Sequence, residues 1–180
     1  MLDKLTMTIT ITHKNFLSKI HLLILLIILM TACKKPVTTF EDEALLNKLY
    51  SISVDTLTLQ NQNYILETYL SRDFFPGIGI GKKSPPLIAD IYLVNIDNIA
   101  IPSYLDIEKL YIIQNQLIWE STPIDGIQPF VPDYKLNKIS KNGPNWDTGI
   151  YVDVIIMVVN SLTKEQYYLI SRNQNIIRTE

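Results

Sequence analysis

The side chains that could activate a nucleophile or bind a transition metal are few, and they lie near the start of the chain. The sequence of 180 residues contains two histidines, His13 and His21, and one cysteine, Cys33. Residues 33–180 therefore contain no imidazole and no second thiol. Serine–histidine and cysteine–histidine catalysis and histidine-rich metal sites all need these groups. We predict no catalytic residue, no metal and no cofactor in this part of the chain.

Carboxylates remain as candidates for acid–base chemistry or calcium binding. Glycoside hydrolysis needs two carboxyl groups at a fixed separation across a cleft, and calcium needs a cluster of oxygen ligands. The aspartates are scattered and no Asp-x-Asp-x-Asp run occurs. This spacing indicates neither kind of site, so the predicted function is non-catalytic.

The segment Phe74–Lys83 carries three glycines at alternate positions and ends in two lysines. A Walker-type phosphate loop needs a glycine where this chain has Pro76, and a serine or threonine where it has Lys83. Pro85-Pro86 would also block the helix that holds the phosphate, so we expect no nucleotide binding. Two interpretations remain: a crossover in which glycine permits tight backbone, or a loop that binds a partner. The contact residues of that binding loop would be Phe74, Phe75, Ile78, Ile80, Lys82 and Lys83.

Three aromatic residues are candidates for contact with a glycan or a small ligand. They are Trp119, Tyr134 and Trp146. The alternative for each tryptophan is a place in the hydrophobic core. A coplanar, exposed pair of indoles would favour glycan binding, whereas buried indoles would favour a structural role.

Residues 1–32 have the pattern of an export signal. Lys4, Lys14 and Lys19 precede an uninterrupted apolar run from Leu22 to Met30. This run is shorter than the roughly 20 residues that a transmembrane helix requires. A basic start followed by a short apolar segment is typical of a cleaved signal peptide.

The end of this signal, Leu29-Met30-Thr31-Ala32-Cys33, resembles the lipobox of bacterial lipoproteins. Met30 departs from the leucine that is more common there in that family. The resemblance implies cleavage after Ala32 and a lipid on Cys33 that attaches the protein to a membrane. In such lipoproteins an aspartate after the cysteine favours the inner membrane. Lys34 and Lys35 at this place therefore imply the outer membrane of the bacterial envelope, with a periplasmic or surface-exposed domain.

Residues 33–49 are predicted to form a lipidated tether and a short helix that follows Thr39–Asp42 and ends near Lys48. From residue 50 onward the apolar residues alternate with a period of two, as in strands. The strongest segment, Tyr151–Val159, places its alternate valines and Ile156 on a filled face and Asp153 on the opposite, solvent side. Other strands are expected near residues 52–59, 64–70, 89–93, 110–113, 117–119, 166–171 and 176–178. Residues 135–140 are a further candidate, as an edge strand within the irregular segment 120–149. Turns are expected at 114–116, 160–165 and 172–175.

Seven to eight short strands are typical of an antiparallel β-sandwich. We therefore predict an all-β domain over residues 50–180. Its pattern resembles the immunoglobulin-like class, with Trp119 as the candidate core tryptophan and without that class's paired cysteines. The formal net charge of −2 argues against nucleic acid as a partner.

Two functions are open. The favoured one is a non-catalytic, lipid-anchored envelope lipoprotein whose β-sandwich serves protein interaction or assembly. The alternative is a surface lipoprotein that binds a glycan or a small ligand through exposed aromatic residues.

Overall fold

A computed structural model describes residues 39–75, 84–126, 128 and 130–180. The signal peptide, Cys33 and the loop residues Ile78, Ile80, Lys82 and Lys83 lie outside these residues. The described part contains one helix, α1 (Glu43–Ile52). Its strands are β1 (Thr39–Glu41), β2 (Leu57–Leu59), β3 (Gln62–Asp73), β4 (Ile88–Asn95), β5 (Leu105–Gln114), β6 (Leu117–Ser121), β7 (Ile124–Asp125), β8 (Lys135–Ser140), β9 (Tyr151–Asn160) and β10 (Gln166–Thr179). None of the described helices is long and apolar enough to cross a membrane.

The strands form one curled sheet in the order β1-β6-β5-β9-β10-β3-β4-β8-β7, and β2 also pairs with β3. The all-β prediction is confirmed. The sheet is mixed, however, because the last residues of β10, Ile176–Thr179, pair in parallel with β3. The expected wholly antiparallel set of seven to eight strands is thus corrected to ten described strands with one parallel strand pair.

Strand β10 belongs to both halves of the sheet, and a bulge makes this possible. Its first part pairs antiparallel with β9, and the register shifts between Ser171 and Gln174. Within the bulge Asn173 has φ +54°, a left-handed conformation that asparagine tolerates better than most residues. The sequence predicted a tight turn at 172–175 between two strands. The structure instead has one bent strand that leaves β9 and continues beside β3.

Residues 39–49, predicted as tether and helix, are part of the folded body. Strand β1 pairs with β6, and α1 follows it directly. The Asp42 carboxylate caps α1 by accepting a hydrogen bond from the Leu45 backbone N–H at 2.8 Å. The helix ends at Ile52, so Ile52 is helical and does not begin a strand. Apolar residues of α1 cover one face of the sheet around Ile155.

The main core lies between the two halves of the sheet. The expected filled face of β9 is there: Val152, Val154, Ile156 and Val158 are all buried in this core. The neighbouring Ile155 is buried as well, in the second cluster under α1, so β9 is covered on both faces. The hairpin at 114–116 and the strand at 135–140 are also found as expected.

Candidate functional site

The predicted binding loop begins beside a cluster of two arginines. The ring of Phe74 is half-buried, and the guanidinium groups of Arg72 and Arg178 lie 5.2 and 4.1 Å from its centroid. Phe75 is exposed. The other predicted contact residues, Ile78, Ile80, Lys82 and Lys83, lie outside the described residues. The role of this loop in binding a partner therefore stays a prediction.

Arg72 joins three segments of the chain. Its side chain is buried, with 4% of the residue exposed. Nε donates to the Pro85 carbonyl at 2.8 Å, Nη1 to the Trp146 carbonyl at 2.6 Å, and Nη2 to Ser84 Oγ at 2.6 Å. Burial lowers the pKa of Arg72, and the charge of Asp147 opposes this effect. The contacts are to neutral groups of the protein itself, which indicates a structural role.

The three candidate ligand aromatics are not brought together. Trp119 is 4% exposed and lies in the core. Gly143 packs closely against its ring, because a Cβ at Gly143 would lie only 2.8 Å from it. A buried indole cannot stack on a sugar, so Trp119 serves the core instead. Tyr134 and Trp146 are half-buried at opposite ends of the β3–β4 pair, where their carbonyls accept hydrogen bonds from Asn95 N–H and Arg72 respectively. Strand β4 alone spans roughly 25 Å between these ends.

Several connections meet at the end of the β3–β4 pair that carries Asn95, and we call residues 60–63, 95–104, 130–134 and 160–165 the loop end. Backbone hydrogen bonds join these connections. Ile96 N–H donates to the Asn63 carbonyl at 3.0 Å, Ile101 N–H to Asp133 at 2.8 Å, and Ser161 N–H to Tyr104 at 2.7 Å. The loops are therefore held in a fixed arrangement relative to one another.

The loop end exposes large apolar side chains. They are Ile96, Ile99, Phe130 and Leu162, and Leu162 is 74% exposed. Exposed apolar side chains grouped on neighbouring loops are typical of protein interaction surfaces. No pattern in the sequence indicates these residues, because an isolated isoleucine or leucine between polar residues resembles a core position.

A pocket of about 420 Å³ opens between these loops, with Lys138 among its lining residues. The Lys138 ammonium lies 2.7 Å from both Asp106 Oδ1 and Asp125 Oδ1. Burial lowers the pKa of Lys138, but the hydrogen bonds and charges of the two aspartates outweigh this effect, and the pKa is raised overall. Lys138 therefore remains a cation near neutral pH and is unsuited to act as a nucleophile or a base. The ion pairs connect β8 and β7 to β5 in the other half of the sheet.

The described residues contain no group of three or more histidine, cysteine, aspartate or glutamate side chains that could hold a metal ion. No protein-family model matches the chain, and neither a curated protein nor a solved structure matches it.

Proposed function

We propose that this chain is a lipid-anchored protein of the bacterial outer membrane whose non-catalytic β domain binds a second envelope protein through the loop end. One observation carries the proposal: Ile96, Ile99 and Leu162 are exposed on loops that backbone hydrogen bonds fix together. A preordered apolar surface loses little conformational entropy on binding, which favours association. Lys138 and its two aspartates add a polar region beside the apolar residues.

The lipobox-like sequence supports the anchor, and chain length supports its placement. Six residues lead from Cys33 to Thr39, which limits their separation to about 21 Å. Thr39 lines a cavity with Ser84, Pro86 and residues 142–145, near the start of β4. The loop end follows the other end of β4. An anchor near Thr39 would leave the loop end accessible to a partner.

The finer likeness to an immunoglobulin-like sandwich is part of this proposal. This likeness is supported by the main core, which lies between the two halves of the sheet and includes Trp119. The parallel pairing of β10 with β3 is a departure from that pattern.

Glycan or small-ligand binding is the second candidate function. Trp119, Tyr134 and Trp146 do not favour it, because one is buried and the other two lie far apart. A different pair of aromatic residues favours it instead, Tyr69 and Tyr92, which line a cavity on the outer face of β3 and β4.

The proposal is tested by replacing Ile99 and Leu162 with serine in the full, lipid-anchored chain. Because both side chains are exposed, the melting temperature should stay close to that of the wild type. Recovery of the specific partner, identified by mass spectrometry and confirmed by the reciprocal pull-down, should be lost. Tyr151→Ser is the matched control, since Tyr151 is 64% exposed at the start of β9, away from the loop end. Equal recovery of the partner by the double variant would refute the proposal.

A further inference from the structure

The outer face of the β3–β4 pair contains a cavity that is separate from the loop end. It has a volume of about 430 Å³. The lining residues are Glu67, Thr68, Tyr69, Asp90, Tyr92 and Gln128. This volume lies in the range of small-molecule sites, which is about 300–1,000 Å³.

Strand register arranges two tyrosines and two carboxylates in an alternating square. Tyr69 on β3 is directly opposite Asp90 on β4, and Glu67 is directly opposite Tyr92. The two tyrosines are therefore diagonal neighbours on adjacent strands, and so are the two carboxylates. In each pair the backbones of the two residues are roughly 7–8 Å apart. The cavity thus places two aromatic rings and two hydrogen-bond acceptors within reach of one small molecule.

The two tyrosines differ in what already contacts them. Tyr69 is 48% exposed, and no hydrogen bond joins its hydroxyl to a described residue. Tyr92 is half-buried, and the Lys135 ammonium lies 5.8 Å from its ring centroid. The same ammonium is 2.5 Å from Glu67 Oε2. Lys135 is therefore the cation that contacts Tyr92 and Glu67. The ring of Tyr69 remains exposed and available to a ligand.

Asp90 is the carboxylate without a partner. Among the described residues it accepts no side-chain hydrogen bond, and no cation lies within 4.0 Å of it. Burial raises its pKa, and the charge of Lys141 opposes this effect. A carboxylate that is partly removed from water gains stability from a ligand that donates hydrogen bonds.

We propose that this cavity binds a neutral saccharide. The C–H face of one sugar ring would pack against Tyr69, while its hydroxyl groups donate to Asp90 and Glu67. Lys135 already neutralises Glu67. The remaining negative charge of Asp90 disfavours an acidic sugar. The inference does not depend on the loop end, because Ile96, Ile99 and Leu162 do not line this cavity.

The test measures saccharide binding to the purified full chain by calorimetry and by saturation-transfer NMR. The detergent must have no sugar head group, because a glycosidic detergent would compete for the site. The probes are maltotriose, cellotriose and triacetylchitotriose, with trigalacturonate as the acidic comparison. We expect at least one neutral trisaccharide to bind and the acidic one to bind more weakly.

Variants assign that binding to the cavity. Tyr69→Ala should weaken it by at least about fivefold, whereas Tyr69→Phe keeps the ring and should retain it. Asp90→Asn should also weaken it, because a neutral amide oxygen is a poorer acceptor than a carboxylate. Tyr151→Ala, the exposed control outside the cavity, and Ile99→Ser with Leu162→Ser should bind as the wild type does. Absence of binding to all three neutral probes, or unchanged affinity in Tyr69→Ala, would overturn the inference.

Discussion

Replacing Arg72 with methionine removes three hydrogen bonds that hold together the end of β3 and residues 84–86 and 142–146. Each hydrogen bond from a charged donor contributes about 1.5–3 kcal/mol net. The substitution also removes the cost of burying the guanidinium. Because Pro85 and Trp146 are half-buried residues, we expect their carbonyls to regain water in part. We therefore expect the free energy of unfolding to fall by about 3 kcal/mol, which is near the value of one or two such bonds.

Two further variants show whether the geometry of the guanidinium is the cause. Arg72→Lys keeps the charge, but its three N–H donors lie on one nitrogen and cannot reproduce the spread of Nε, Nη1 and Nη2 toward three separate acceptors. It should therefore lose about half as much stability as Arg72→Met. Arg178→Met is the matched control, because Arg178 contacts the same Phe74 ring but is exposed and pairs only with Glu180 in the described residues. It should cost less than about 1 kcal/mol.

The assay is urea unfolding of the chain from Lys34 onward, with the slope against denaturant checked for constancy. Hydrogen exchange should be faster at the Gly143 N–H, which donates to the carbonyl of Leu87, the residue after segment 84–86, at 2.8 Å. Equal losses of stability in Arg72→Met and Arg178→Met, or wild-type stability of Arg72→Lys, would show that the three hydrogen bonds of Arg72 do not stabilise the fold.

Three other changes have defined outcomes. Ile156→Ala, at a fully buried position of β9, should cost about 2–5 kcal/mol in urea unfolding, and a loss below 1 kcal/mol would contradict its place in the core. Burial, the hydrogen bond to Asp153 and the charge of Asp153 raise the pKa of Tyr50 from 10.0 to about 12. The neutral phenol therefore stabilises the fold fully below pH 10, and this contribution should be lost between pH 10 and 12 in the wild type but not in Tyr50→Phe. Equal pH profiles of the two chains would show that Tyr50 is not responsible. Cys33→Ser should abolish lipidation and cleavage after Ala32, as detergent partitioning and the mass of the mature chain would show, and normal processing of the variant would contradict the lipoprotein resemblance.

Local patterns in the sequence were sufficient to predict much of the sheet. Alternation of apolar residues identified the filled face of β9, and Asn115, with φ +58°, closes the hairpin expected between Gln114 and Leu117. The same method could not predict the path of β10. A bulge and a turn have the same polar composition, and only pairing with distant strands decides between them.

Polar residues on strands were harder to interpret. Period-two reasoning places Asp153 on the solvent side, where exchange for asparagine would be nearly neutral. In the structure Asp153 accepts hydrogen bonds from the Tyr50 hydroxyl at 2.8 Å and the Asn173 N–H at 2.9 Å. These partners are 103 and 20 residues away along the chain. No local pattern in the sequence could indicate them.

The candidate sites were predicted least well, because they are made by register and by loops. Tyr69 and Tyr92 each look like ordinary alternating strand residues, and only their pairing with Asp90 and Glu67 makes a cavity. The loop end depends on hydrogen bonds between connections that are far apart in sequence. The tryptophans attracted attention as rare residues, yet Trp119 faces inward because of its position on β6.

The proposed function requires that the loop end of the anchored protein contacts a specific envelope protein. The most direct measurement places a photo-crosslinking amino acid at position 99 of the lipid-anchored full chain in living cells, and at position 151 as the control. We predict one discrete adduct from position 99, containing the partner recovered in the pull-downs, and none from position 151. The absence of an adduct from position 99, or the same adduct from both positions, would show that the loop end is not the binding surface.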